Sequence, residues 1–156
     1  MSSISMTYEA FARLAPEVQA GLRAMSKAVD DAGLPKDLTE LIKIRASQLN
    51  GCAFCLQFHL NLARRQGVPA AKLDLVAAWR DAGVFAPREM AALAYVEALT
   101  RLADHEVLLA AQDNLRQHFS AEEARFLTIA VATINAWNRL GVALAFPPPI
   151  PQAEAA

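Results

Sequence analysis

Glycine is scarce in this chain, at six residues in 156, and runs of β-branched residues are short. With alanine the commonest residue, that shortage argues for a helical protein over a sheet protein. An excess of either charge is also missing. Fifteen Lys and Arg stand against sixteen Asp and Glu, a net charge of −1. Nothing in that balance points to nucleic acid or to an anionic membrane as a partner. The opening stretch, MSSISMTYEAFARL, has no basic segment followed by an apolar run. No secretory signal is therefore expected, and a cytoplasmic location is. A clean membrane span is absent too. The most apolar stretch, 126–146, carries Asn135, Asn138 and Arg139, which a lipid-facing helix tolerates poorly. Cysteine is nearly absent, with two residues in all. A single closely spaced pair in a cytoplasmic chain points to redox chemistry or metal binding more than to a disulfide staple.

The length suits one domain with a real core. Proline and glycine punctuate it as helix starts and stops do. Pro16 opens an amphipathic run closed by Gly33, and Pro35 opens a second that stops near Gly51. A third helix is expected from about Cys52 to Arg65, and a short one over 68–79. Two more are expected over 86–103 and 105–119. Ser120 with Glu123 reads as a capping box for the last. That last helix, ARFLTIAVATINAWNRLGVALAF, is apolar on nearly every side, as a buried or interface helix is. The expectation is an all-α single domain over 1–146 and a proline-rich tail over 147–156, either loose or draped over a neighbour. QLN at 48–50 and TIN at 133–135 hint only weakly at two similar halves.

Both cysteines fall in NGCAFCLQFH, residues 50–59. On one helix, Cys52, Cys55 and His59 lie within about 60° of each other, along a single stripe. Residues three apart on a helix have Cβ atoms about 5–6 Å apart, near what a disulfide requires. Free N–H groups at a helix start favour a thiolate at Cys52, and His59 is placed to serve as a base. Glu40, in the otherwise apolar LTELIKI, is brought beside His59 if the Asn50–Gly51 connection folds one helix back along the next. Other readings stand beside this one. The cysteines could be two small buried residues, or Cys52, Cys55, His59 and Glu40 could bind zinc. Glu40 could simply pair with Lys43 or Arg45. Haem attachment needs histidine directly after the second cysteine, where this chain has Leu56. Arg45 reads as a structural ion-pair partner, and His105 and His118 as surface or capping residues. Trp79 and Trp137 read as core. Asn135, Asn138 and Arg139 need partners within the fold, in the cleft or at an interface.

The pattern Glu40–x11–Cys52–x2–Cys55–x3–His59, set in KIRASQLNGCAFCLQFHLNLARRQGV, resembles the AhpD-like alkylhydroperoxidases of the carboxymuconolactone decarboxylase superfamily. INAWNRL, 134–140, resembles that branch's tail motif. The resemblance implies an AhpD-like helical bundle assembled as a trimer or hexamer. It implies a thiol peroxidase or disulfide-exchange site in which Glu40 and His59 relay protons to Cys52 and Cys55. An organic hydroperoxide and an external dithiol or disulfide reductant are the implied partners, and no cofactor is implied. AhpD proteins carry a second histidine just before the second cysteine, where this chain has Phe54, so part of the relay is missing. The superfamily's true decarboxylases lack the cysteine pair, which argues against lactone decarboxylation. The expected order is attack by Cys55, beside the deeper His59 and Glu40, and resolution by Cys52, nearer the surface.

Overall fold

The computed structural model describes residues 4–152; residues 1–3 and the last four residues of the expected tail lie outside the described part. Eight α-helices account for the described chain, with no strand among its residues. They are α1 (Tyr8–Leu14), α2 (Pro16–Asp31), α3 (Lys36–Asn50), α4 (Ala53–Arg65), α5 (Ala70–Leu75), α6 (Pro87–Arg101), α7 (His105–Arg116) and α8 (Ala121–Ala143). The short helix expected over 68–79 stops at Leu75 and tightens into a single 3-10 turn, Val76–Ala78. Helix α1 was not expected. Its seven residues hold too few turns to show a period, yet Thr7 Oγ1 caps it by accepting from the Ala10 N–H at 3.2 Å, and Phe11 is buried beneath it.

The middle of the fold is α3, which packs on α4, α6 and α8. Its Leu41, Ile42 and Ile44 are fully buried, as are Leu93 and Val96 of α6 and Leu127 and Val131 of α8. Each such side chain contributes about 1.5–3 kcal/mol by leaving water. One buried carboxylate fastens α3 to α6. Glu97 accepts from Arg45 Nε at 2.7 Å, Trp79 Nε1 at 2.9 Å and Arg80 Nη2 at 2.7 Å. Arg45 is thus the structural ion-pair partner the sequence indicates, and Trp79 is core.

Helix α8 starts at the expected capping box: Ser120 Oγ accepts from the Glu123 N–H at 3.2 Å, and Glu123 Oε2 from the Ser120 N–H at 2.8 Å. It is not buried on every side. Leu127, Val131, Ile134 and Asn138 point inward, while Ala132, Arg139 and Val142 are exposed. The described part of the tail drapes over the chain's own α4. Phe146 is buried, and Asn61 Nδ2–H donates to the Pro149 carbonyl at 2.9 Å. Among the described residues no helix is long and apolar enough to cross a membrane.

Candidate active site

Helix α3 ends on Gly51, whose φ of 67° and ψ of 27° lie in the left-handed region. Glycine reaches that conformation without the Cβ penalty, and it reverses the chain within one residue. Helix α4 then runs back along α3. The reversal brings Glu40, ten residues before the end of α3, level with His59 of α4. Glu40 Oε2 lies 2.6 Å from His59 Nδ1, and Glu40 Oε1 accepts from Lys43 Nζ at 2.9 Å. The carboxylate therefore takes both partners that the sequence offered as alternatives. It is 4% exposed. Burial works to raise its pKa, but the His59 hydrogen bond and the nearby charges of His59 and Lys43 outweigh that and hold it below the usual carboxylate range.

The cysteines follow the reversal directly. Cys52 stands at the helix start, as the N-cap of α4, and its Sγ accepts from the Cys55 N–H at 3.3 Å. A residue with an extended backbone at this position can turn its side chain back over the open first turn. The two sulfurs are 2.6 Å apart, and both cysteines are free. The Cys55 S–H donates to Cys52, which is the main reason the Cys52 thiol is lowered to about 7. Burial opposes this, while the Cys55 N–H and the Asn138 amide assist it. Cys55 moves the other way, pushed up first by its role as the donor in that contact and then by burial and the charge on Cys52. The expectation that Cys52 lies nearer the surface is not met: the two are 1% and 2% exposed. Capping turns the Cys52 sulfur inward, under α8.

Three residues from outside the cysteine motif complete the surroundings. Asn138, fully buried on α8, donates through Nδ2 to Ser47 Oγ at 3.0 Å and accepts from Asn50 Nδ2 at 2.9 Å through Oδ1. The bond from Asn50 fixes which end of the amide faces the sulfurs. Asn135 extends the network, accepting from Asn50 at 3.0 Å and donating to Thr100 Oγ1 at 3.0 Å. These asparagines are therefore satisfied within the chain. Gly141, one turn further along α8, leaves room for the pair: a Cβ there would stand 2.7 Å from Cys52 Sγ and 3.4 Å from Cys55 Sγ. Nothing in the sequence distinguished this glycine, since only folding brings α8 over the α4 N-terminus.

A cleft of about 970 Å³ opens between α2 and α4, with α8 as its floor. It is lined by Cys55, His59 and Glu40 but not by Cys52. Beside Cys55 its wall is aromatic. Phe54 stacks on Tyr8, with centroids 5.4 Å apart and planes 22° apart, and on Phe58 at 6.1 Å and 19°. Trp137, expected in the core, is only partly buried and faces this cleft. His105 is exposed, and His118 is remote from the site, its carbonyl accepting from Arg88 at 2.8 Å. Among the described residues no group of three or more His, Cys, Asp or Glu is arranged to hold a metal ion. Glu40 and His59 instead use the facing atoms on each other.

This arrangement has relatives. The sequence profile of the carboxymuconolactone decarboxylase family matches residues 16–98, from the start of α2 through most of α6. The chain belongs to that family. Within the family it is AhpD-like. A protein of unknown function from Agrobacterium tumefaciens, provisionally described as an antioxidant defence protein AhpD, superposes with a TM-score of 0.85 at 35% identity, over 90% of this chain and 97% of that one. The AhpD core of an uncharacterised peroxidase-related protein from Ralstonia eutropha JMP134 gives 0.77 at 27% identity, over 88% and 74%. The uncharacterised protein YdfG of Bacillus subtilis strain 168 is 33% identical over 131 residues, 84% of this chain and 89% of its own. In this AhpD-like chain Phe54 fills the place before the second cysteine with an aromatic wall.

Proposed function

We propose that the protein is a thiol-dependent alkyl hydroperoxide reductase. The observation that carries this reading is the cysteine pair: two free, buried sulfurs in contact, beside a cleft that reaches Cys55 and a Glu40–His59 pair, with the Cys52 pKa lowered to about 7. Charge and access favour different sulfurs. The charge rests on Cys52, but the cleft opens on Cys55, and a peroxide must touch the sulfur it oxidises. Access therefore decides the order, and charge assigns Cys52 a role as base.

In the first step the Cys55 sulfur attacks the terminal oxygen of the hydroperoxide as its proton passes to the Cys52 thiolate. The O–O bond breaks. The alkoxide leaves with a proton from His59, which Glu40 orients, and Cys55 becomes a sulfenic acid. In the second step Cys52 attacks the sulfenic sulfur, the disulfide forms, and the displaced hydroxyl departs as water with the Cys52 proton. Two thiols and one hydroperoxide have become a disulfide, an alcohol and water. An external dithiol then restores both thiols by exchange.

The test is intact mass with thiol alkylation, before and after one equivalent of cumene hydroperoxide. Loss of two hydrogens with both cysteines protected is expected. A protein that stays fully alkylatable overturns the reading. If the pair is instead oxidised by a small disulfide and not by the peroxide, disulfide exchange is the activity.

A further inference from the structure

The charges around the cleft do not match those of the chain. The whole protein carries a net charge of −1, yet Arg23, Lys27, Lys36 and Lys43 line the cleft against only Asp30 and Glu40. The surplus is on exposed side chains. Lys43 is bound to Glu40 in the interior, but Arg23, Lys27 and Lys36 are exposed. Lys27 pairs with Asp31, outside the cleft, and Lys36 is 3.4 Å from Asp30, both as exposed pairs. Such pairs hold their partners weakly and exchange readily. Arg23 makes no ion pair among the described residues. The wall beside Cys55, by contrast, is aromatic, with Tyr8, Phe54 and Phe58 stacked in turn and Phe58 itself exposed.

Resting on the peroxidase reading, we propose that the cleft takes organic hydroperoxides with an apolar body and a carboxylate at the end away from the peroxide. The body lies along the aromatic wall and brings the O–O bond to Cys55. The carboxylate stays at the rim, where Arg23 offers a planar fork of donors suited to it. Hydrogen peroxide uses neither feature, and a neutral alkyl hydroperoxide uses only the wall. A substrate carrying both parts engages the full length of the cleft.

Two measurements test this, one independent of turnover. Calorimetry compares 4-phenylbutyrate with its neutral amide on the reduced protein. Steady-state kinetics with dithiothreitol compare cumene hydroperoxide with its para-carboxylate. The acid is expected to bind about fivefold more tightly than the amide, the scale of one exposed charge contact. The carboxylate peroxide is expected to have the lower KM by a similar factor. Both preferences should shrink as salt rises. Arg23→Glu should erase them. Arg101→Glu, at the exposed end of α6 and outside the cleft, changes net charge equally and should keep them. Equal binding of acid and amide, or equal loss in both variants, overturns the proposal. If neither peroxide is consumed, the peroxidase reading fails, while the calorimetry still decides whether the cleft selects an anion.

Discussion

Gly141 of α8 lies directly over Cys52 of the α4 cap: a methyl group on it would stand 2.7 Å from the Cys52 sulfur. The sulfur has no free direction in which to retreat, because it is 1% exposed and already caps the helix. Gly141→Ala should therefore force the two sulfurs out of register. Overpacking costs about 1–3 kcal/mol, but alanine in a helix interior returns about 1 kcal/mol over glycine. The net change in Tm should be small, and the thiols should report the clash. Thiolate absorbance of the wild type should rise with a midpoint near 7, as expected for Cys52. In Gly141→Ala the midpoint should move upward. An unchanged titration would mean that α8 yields and the close approach has no chemical consequence.

The order of attack can be read from single cysteine variants. Cys55→Ser should abolish peroxide consumption, because Cys55 is the sulfur that lines the cleft. Cys52→Ser should complete one slow oxidation and stop at a sulfenic acid on Cys55, which dimedone traps. Loss of the Cys52 base should slow that single oxidation by about a hundredfold, the usual scale of general base catalysis. A dimedone adduct on Cys52 in the Cys55→Ser protein would reverse the roles.

Much of this site was legible in the sequence, and the parts that were not share a physical cause. Glu40 and His59 could be paired in advance because Asn50–Gly51 is a short reversal between two strongly punctuated helices, so the relation is nearly local. Cys52 stands at the helix start, as expected, but a cap and a first-turn residue differ only in backbone angles, and spacing cannot separate them. As a cap its sulfur turns inward, so Cys52 is buried as fully as Cys55 and not nearer the surface. Gly141 and Asn138 act on residues some 90 positions earlier, through the α3–α8 and α4–α8 packing, which no periodicity within either segment encodes. Trp137 was read as core from its apolar helix, but α2 stands away from α4 and leaves it on a cleft wall.

Asn138 offers a test of the buried network. Its amide donates to Ser47 and is aligned by Asn50, and it lowers both thiols. Asn138→Leu keeps the volume and removes the donor. Asn50 still has Asn135 as an acceptor, so the stability lost should be about 1–3 kcal/mol, the range for a disrupted buried hydrogen bond. The Cys52 midpoint should rise, because a thiolate without its donor is less favoured. Helical circular dichroism should be retained. A variant with the wild-type thiolate midpoint would reduce Asn138 to a packing residue.

Assembly is the property on which the family resemblance goes furthest beyond the single chain. Large apolar side chains are exposed on several helices, among them Leu14, Val18, Val107 and Val142. Closed symmetric oligomers bury such surface. Sedimentation should give a species three or six times the 16.9 kDa chain. A stable single chain at micromolar concentration would remove the proposed trimer or hexamer.

Glu40→Gln separates the proton relay from the fold. The substitution keeps shape and a hydrogen-bonding oxygen for Lys43 but removes the charge that faces His59. Glu40 is 4% exposed, and its folded pKa lies below the ordinary value of 4.5. A depressed carboxylate stabilises the fold at pH values above that ordinary value and ceases to do so as pH falls through the folded pKa. Wild type should therefore lose stability on the acid side of 4.5, and Glu40→Gln should show a flatter limb there. At neutral pH the variant should be less stable by about 1–3 kcal/mol, the range for a weakened buried polar contact. Activity should suffer more than stability. His59 loses the group that orients it for proton delivery to the leaving alkoxide, so kcat for cumene hydroperoxide should fall by about a hundredfold. A peroxide whose leaving group is a weaker base needs that proton less, so peracetic acid, which expels acetate, should lose far less rate than cumene hydroperoxide. That difference between substrates is the decisive reading, because a merely structural Glu40 would lower both rates by the same factor.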